Sequence, residues 1–225
     1  FVGAVLACLL FPAVAATVGS LVSFANPQAT LTALCATLLS IVAWAAAAWR
    51  FGLPTSESHA LLAGLSGAAL ALGGGSAALN GAAWMRALAG LALSLPAGAL
   101  AARACRIWLA RRPCNPVSWQ RLAAGGMALR HGVQDGQKFL ALMLLADDLG
   151  GAQPSPLLPL LILTASMMAA GTALGGRPIV EKVGRQLAAL TPREGLAADL
   201  GAGLVLAGCS ALGLPVSTTH AKVAA

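Results

Sequence analysis

The sequence predicts an all-α, polytopic membrane protein built from two repeats, with broken or re-entrant half-helices meeting near the bilayer midplane. Three observations carry this expectation. Of the 225 residues, 58% are hydrophobic and only 9% charged, against about 25% charged in ordinary soluble domains. The apolar residues form runs near the ~20 residues that cross a hydrocarbon core, enough for roughly six to eight spans. A polar nonapeptide, GLPTSESHA at 52–60, returns as GLPVSTTHA at 213–221.

Taken in order, residues 1–24 are long enough for one span with a kink at Pro12, and FANPQ (24–28) reads as a turn. A second span covers 29–49, with Trp44 and Trp49 suited to an interface. The apolar run after the first nonapeptide, 60–72, is too short to cross alone, so 54–72 is expected to be a re-entrant half-helix. Residues 73–81 form a Gly-rich loop, and 82–103 a span with Pro96 at its midpoint. The stretch 105–121, with two prolines, reads as an interhelical loop or surface segment. Residues 122–146 are apolar at both ends around a polar island, 147–156 a loop, and 157–176 a span. Segment 177–195 has apolar residues at helical spacing between charges, which suits a helix lying along the interface. A Gly/Ala-rich span, 195–213, leads into the second nonapeptide. The first repeat is therefore placed at 1–103, an Arg-rich cytoplasmic linker at 104–121, and the second repeat at 122–225.

Charge and cysteine usage exclude several readings. The formal net charge is +7, but Arg103, Arg106, Arg111, Arg112, Arg121 and Arg130 follow one another with no acid between them, beside membrane segments. That is the pattern of a cytoplasmic loop, and it reports topology rather than a nucleic-acid partner. The five cysteines are odd in number, with no C-x-x-C, so neither a disulfide framework nor a structural zinc site is expected. Phe1 stands where Met would begin a chain, and the sequence stops soon after the second nonapeptide; part of a longer protein is the expectation.

The two nonapeptides agree at six positions, with Ser58 matched by Thr219, which indicates an internal duplication. Each sets Pro and hydroxyl residues where a helix begins, a combination suited to capping and the first turn. Such helix starts expose N–H groups that favour an anion. Two of them brought together give the duplicated, broken-helix arrangement of secondary transporters. The repeats are inverted if an odd number of crossings separates them.

The island HGVQDGQK (131–138) adds an acid between apolar stretches, and an intramembrane acid marks an ion or proton path. Lys138, three residues beyond Asp135, is a candidate neutralising partner. Glu57 has no acidic match in the second copy, where Thr218 stands. A Ser/His hydrolase is disfavoured because both groups recur in both repeats, whereas nucleophilic catalysis needs one site.

HGVQDGQK resembles the HGANDAQK signature of the inorganic phosphate transporter (PiT) family, with Gln134 in place of Asn and Val133 in place of Ala. PTSESH and PVSTTH resemble its P-x-S-x-[ST]-H segments, and 191–207 is similar to the stretch leading into the second. The resemblance implies two halves of inverted topology and secondary transport of phosphate with Na⁺ or H⁺, without enzymatic activity or cofactor. It implies phosphate contact by Ser56, Ser58, Ser217, Thr218, Thr219, Asp135 and Gln137, and coupling-cation contact by Asp135 and Gln134. His59, His220 and Lys138 are expected to orient these groups. The expected partners are inorganic phosphate, the coupling cation, the lipid bilayer of a bacterial inner membrane and a second copy in a homodimer. The closest alternative is a permease for sulfate or another tetrahedral oxyanion; a passive anion channel or an intramembrane hydrolase fits less well.

Overall fold

In the computed structural model, residues 1–10, 12–24, 26–53, 55–112, 115–147, 156–182 and 190–225 are described. The helices among them are α1 (Val2–Leu10), α2 (Ala13–Gly19), α3 (Pro27–Phe51), α4 (Glu57–Ala69), α5 (Gly81–Ala110), α6 (Pro116–Asp147), α7 (Leu157–Gly175), α8 (Arg177–Lys182), α9 (Pro192–Ala211) and α10 (Thr218–Ala224). A single bridge between Val22 and Leu79 is the only β-type pairing among the described residues.

Helix ends follow local chemistry. Asn26 accepts from the Ala29 amide and Pro27 opens α3; Asn80 caps α5 through the Ala82 and Ala83 amides. Thr191 and Glu194 form a reciprocal capping box at the start of α9, followed by Pro192. Helix α4 has 13 residues, which at ~1.5 Å per residue is about 20 Å and falls short of a ~30 Å hydrocarbon core. It continues into a single π turn, Leu70–Gly74.

Two expectations require correction. Residues 1–24 form two short helices rather than one span: α1 ends at Leu10 and α2 begins after Pro12, because proline cannot carry the helical ladder through. The interhelical loop expected over 105–121 is mostly helix. Helix α5 runs to Ala110, since Arg, Leu and Ala are good helix formers, and Pro116 opens α6 as a first-turn residue. The island 131–138, expected between two apolar stretches, lies inside the unbroken α6. Within 177–195, residues 183–189 lie outside the described residues, so the interfacial helix is seen only as α8.

Helices α3, α5 and α7 are long and apolar enough to cross a membrane. Helices α6 and α9 are also long, but bury Gln134, Asp135, Gln137, Lys138 and Asp199. Helix α9 and the C-terminal half of α6 are thus the inner segments. The most extensive helix pairs are α5 with α9, α6 with α9 and α1 with α6. Small residues allow these approaches: a methyl group at Gly201 would land on the Ala102 backbone of α5, and one at Gly136 on Ala4 of α1. A separate apolar core joins Val14 and Val18 of α2, Leu34 and Ile41 of α3, Leu61 and Leu65 of α4, and Leu142 of α6.

Candidate functional site

The two nonapeptides build the same backbone device. Helix α3 is followed by Gly52 (φ 62°) and α9 by Gly213 (φ 66°), a left-handed conformation that glycine adopts without steric cost. Gly52 N–H donates to Trp49 O and Leu53 N–H to Ala48 O; Gly213 N–H donates to Ser210 O and Leu214 N–H to Cys209 O. The chain then turns back into a short helix. Ser56 caps α4 by accepting from the His59 amide, and Ser217 caps α10 by accepting from the His220 amide.

Contacts between the two copies are reciprocal. Ser58 Oγ donates to Val216 O (2.9 Å), and its counterpart Thr219 Oγ1 donates to Thr55 O (3.0 Å), the carbonyl matching Val216 in the repeat. His59 and His220, also counterparts, pair with ring centroids 4.7 Å apart. Exchange of equivalent contacts is what a two-fold relation between like segments produces, so the copies meet as a local pseudo-dimer.

Helix α6 lays its polar island against this pair. Asp135 and Lys138 are each 2% exposed. Lys138 Nζ donates to Asp135 Oδ1 (2.6 Å), Ser58 Oγ (2.6 Å) and Val216 O (2.7 Å). Asp135 Oδ2 accepts from Thr218 Oγ1 (3.1 Å) and lies 3.2 Å from His131 Nδ1. Buried ions are tolerated when paired and fully hydrogen-bonded; here all three ammonium protons find oxygens drawn from α4, α6 and the segment before α10. Ser58, Thr218, Asp135 and Lys138 thus form one connected cluster, while Ser56, Ser217 and Thr219 lie on the adjoining caps. Beside it, Lys222 of α10 is ion-paired with Asp199 of α9.

The two glutamines expected to touch ligand are turned elsewhere. Gln137 is fully buried, and its Oε1 accepts from the Val14 and Ala15 amides (3.0 and 3.3 Å) while Nε2 donates to Val133 O. It caps α2, whose own N-cap, Pro12, has no side-chain oxygen to offer. Gln134 accepts from Ser210 Oγ (3.0 Å) and donates to Leu214 O (2.8 Å). Sequence reasoning missed Ser210, and Thr17, which donates to Gly213 O at 2.8 Å. The one legible signal was Pro12 opening a helix without a capping side chain before it.

Comparison with known proteins decides the family. A sequence profile of the phosphate transporter family matches residues 1–120 and 117–225. The chain belongs to this family. A probable low-affinity inorganic phosphate transporter of Mycobacterium tuberculosis is 32% identical over 94% of this chain and 54% of its own length. Its Bacillus subtilis counterpart by name is 30% identical over 82% of this chain and 59% of its own length. This phosphate transporter family member thus spans little more than half the length of the curated relatives it matches. A solved structure titled "The sodium-dependent phosphate transporter" superposes with a TM-score of 0.83 at 16% identity, covering all of this chain and 76% of the other, and it shows the fold. The all-α fold expected from the sequence is the fold this chain shares with that structure.

Proposed function

We propose that the whole protein is a secondary transporter that carries inorganic phosphate across the bacterial inner membrane by symport with a cation. The observation that supports this reading is the Asp135–Lys138 pair, buried where hydroxyls from both repeats converge. In the absence of substrate, Lys138 neutralises Asp135 and the burial of each charge is offset by the other. An incoming phosphate offers oxygens to the Lys138 ammonium and to the Ser58, Thr218 and Thr219 hydroxyls, with Ser56 and Ser217 at the adjoining helix starts. Asp135, relieved of Lys138, then takes the coupling cation, which offsets the repulsion between carboxylate and anion.

Cation and anion binding are linked because they share one neutralising group. Each ligand raises the affinity for the other by the same factor. The division into repeats at 1–103 and 122–225, in inverted orientation about the paired caps, would let the two halves rock around this site. Sodium is favoured as the coupling ion by the name of a zebrafish relative, sodium-dependent phosphate transporter 1-A, which is 33% identical over 85 residues.

The test is uptake of labelled phosphate by the full-length protein in liposomes, with a Na⁺ gradient, a proton gradient or neither. Saturable uptake driven by one gradient and weakly inhibited by sulfate is expected. Flux that is non-saturating and indifferent to both gradients would overturn the symport reading, and sulfate competing on equal terms would overturn the substrate.

A further inference from the structure

The residue before Asp135 is one of the positions where the sequence departs from the signature it resembles, and the geometry gives that departure a role. Gln134 is fully buried on α6. Its amide oxygen accepts from Ser210 Oγ, on the last turn of α9, and its amide nitrogen donates to Leu214 O, beyond the left-handed Gly213. Both ends of the carboxamide are therefore spent on opposite sides of the α9–α10 break. The chain just beyond Leu214 supplies Val216 O to Ser58 and Lys138, and leads into Thr218, which donates to Asp135.

We propose that Gln134 is a positioning residue: it latches the α9–α10 break to α6 and so sets the distance between Asp135 and the second cap, rather than ligating the coupling cation. Its length is what the latch requires. Asparagine is shorter by one carbon–carbon bond, about 1.5 Å, so an amide anchored to the same α6 backbone cannot span the 2.8 Å and 3.0 Å bonds to Leu214 and Ser210 without the break moving toward α6. The neighbouring Gln137 provides a local precedent, because it too spends its amide on a broken helix, the start of α2. The proposal rests on the transport reading for its functional consequence, but its structural half can be measured independently.

Two arms test it on the full-length protein. In nanodiscs, hydrogen exchange of the Gly213 and Leu214 amides, which are bonded to Ser210 O and Cys209 O, reports opening of the break without any need for transport. Gln134→Asn and Ser210→Ala are each expected to accelerate that exchange about tenfold, the scale of losing a buried hydrogen bond, and the double variant to add little, as coupled partners do. Unchanged exchange in both single variants would overturn the latch.

In liposomes, the two single variants are expected to lower the maximal uptake rate alike while the cation concentration giving half-maximal uptake stays within about twofold. A tenfold shift in that concentration in Gln134→Asn, with Ser210→Ala behaving like wild type, would overturn the proposal and make Gln134 a cation ligand. If Gln134→Asn does not accumulate, Gln134→Met takes its place: it keeps the length but can neither accept from Ser210 as an amide does nor donate to Leu214 O. A wild-type protein without gradient-driven uptake would count against the transport reading and leave the exchange result standing.

Discussion

At the first break, Ser58 reaches across to Val216 while Glu57 beside it is exposed and Ser56 holds its own helix start. At the second, the residue in Glu57's place, Thr218, is buried against Asp135, and Lys222 four residues on is ion-paired with Asp199. The backbone is the same in both: a left-handed glycine, a serine cap, a short helix. Even the paired imidazoles differ, since His59 Nδ1 lies 2.7 Å from Ser56 Oγ whereas His220 Nδ1 is buried with no hydrogen-bond partner among the described residues. The two copies share what the turn geometry needs and differ in the side chains that allocate charge. It is the second copy whose threonine donates to Asp135.

The most damaging way to break this asymmetry is at the acid itself. Asp135→Asn strands the Lys138 ammonium in the interior, and removing one partner of a buried ion pair costs about 3–5 kcal/mol. Phosphate uptake should vanish and the denaturation midpoint of the purified protein should fall sharply; an unchanged midpoint would mean that the pair does not hold the structure.

Next is the turn of the second copy. Gly213→Ala forces a side chain into a left-handed conformation costing about 1–2 kcal/mol, and the added methyl would also meet Ala13 O at 3.1 Å. Thermal unfolding should register both. Thr218→Val removes a buried donor from Asp135, an effect of about 1–2 kcal/mol, and should slow uptake roughly tenfold.

The sharpest comparison is between equivalent positions. Thr219→Val removes one of the reciprocal cross-copy bonds and should cost about 0.5–1.5 kcal/mol. Glu57→Gln, at the exposed counterpart of Thr218, should fall within about 0.5 kcal/mol of wild type with uptake unchanged. Equal losses from Glu57→Gln and Thr218→Val in the same uptake assay would erase the proposed specialisation.

Much of this could be read from the chain because the relevant physics is local. An apolar run of span length, a proline beside a capping hydroxyl and a glycine after a helix end act through neighbours in sequence. For that reason α3, α7, both caps and the pairing of Asp135 with Lys138 were anticipated closely. The partners of the island's polar residues on α2, α4, α9 and α10 were not, because they come from elements far away in sequence. The expected loop at 105–121 failed for another reason: arginines that suggest a surface segment also favour helix.

The sequence by itself determined that the chain is a helical membrane protein with a repeated cap and an acid set between apolar stretches, since composition, run length and repetition carry those facts. Only the tertiary structure decided which polar groups meet. Gln134 and Gln137 stand one and two residues from Asp135, yet both turn away to hold broken helices, while Ser58, some eighty residues off, joins Lys138 directly. Along a helix the direction of a side chain changes by ~100° per residue, so proximity in sequence does not fix what a side chain faces, and the free energy of a buried polar group depends on what it faces.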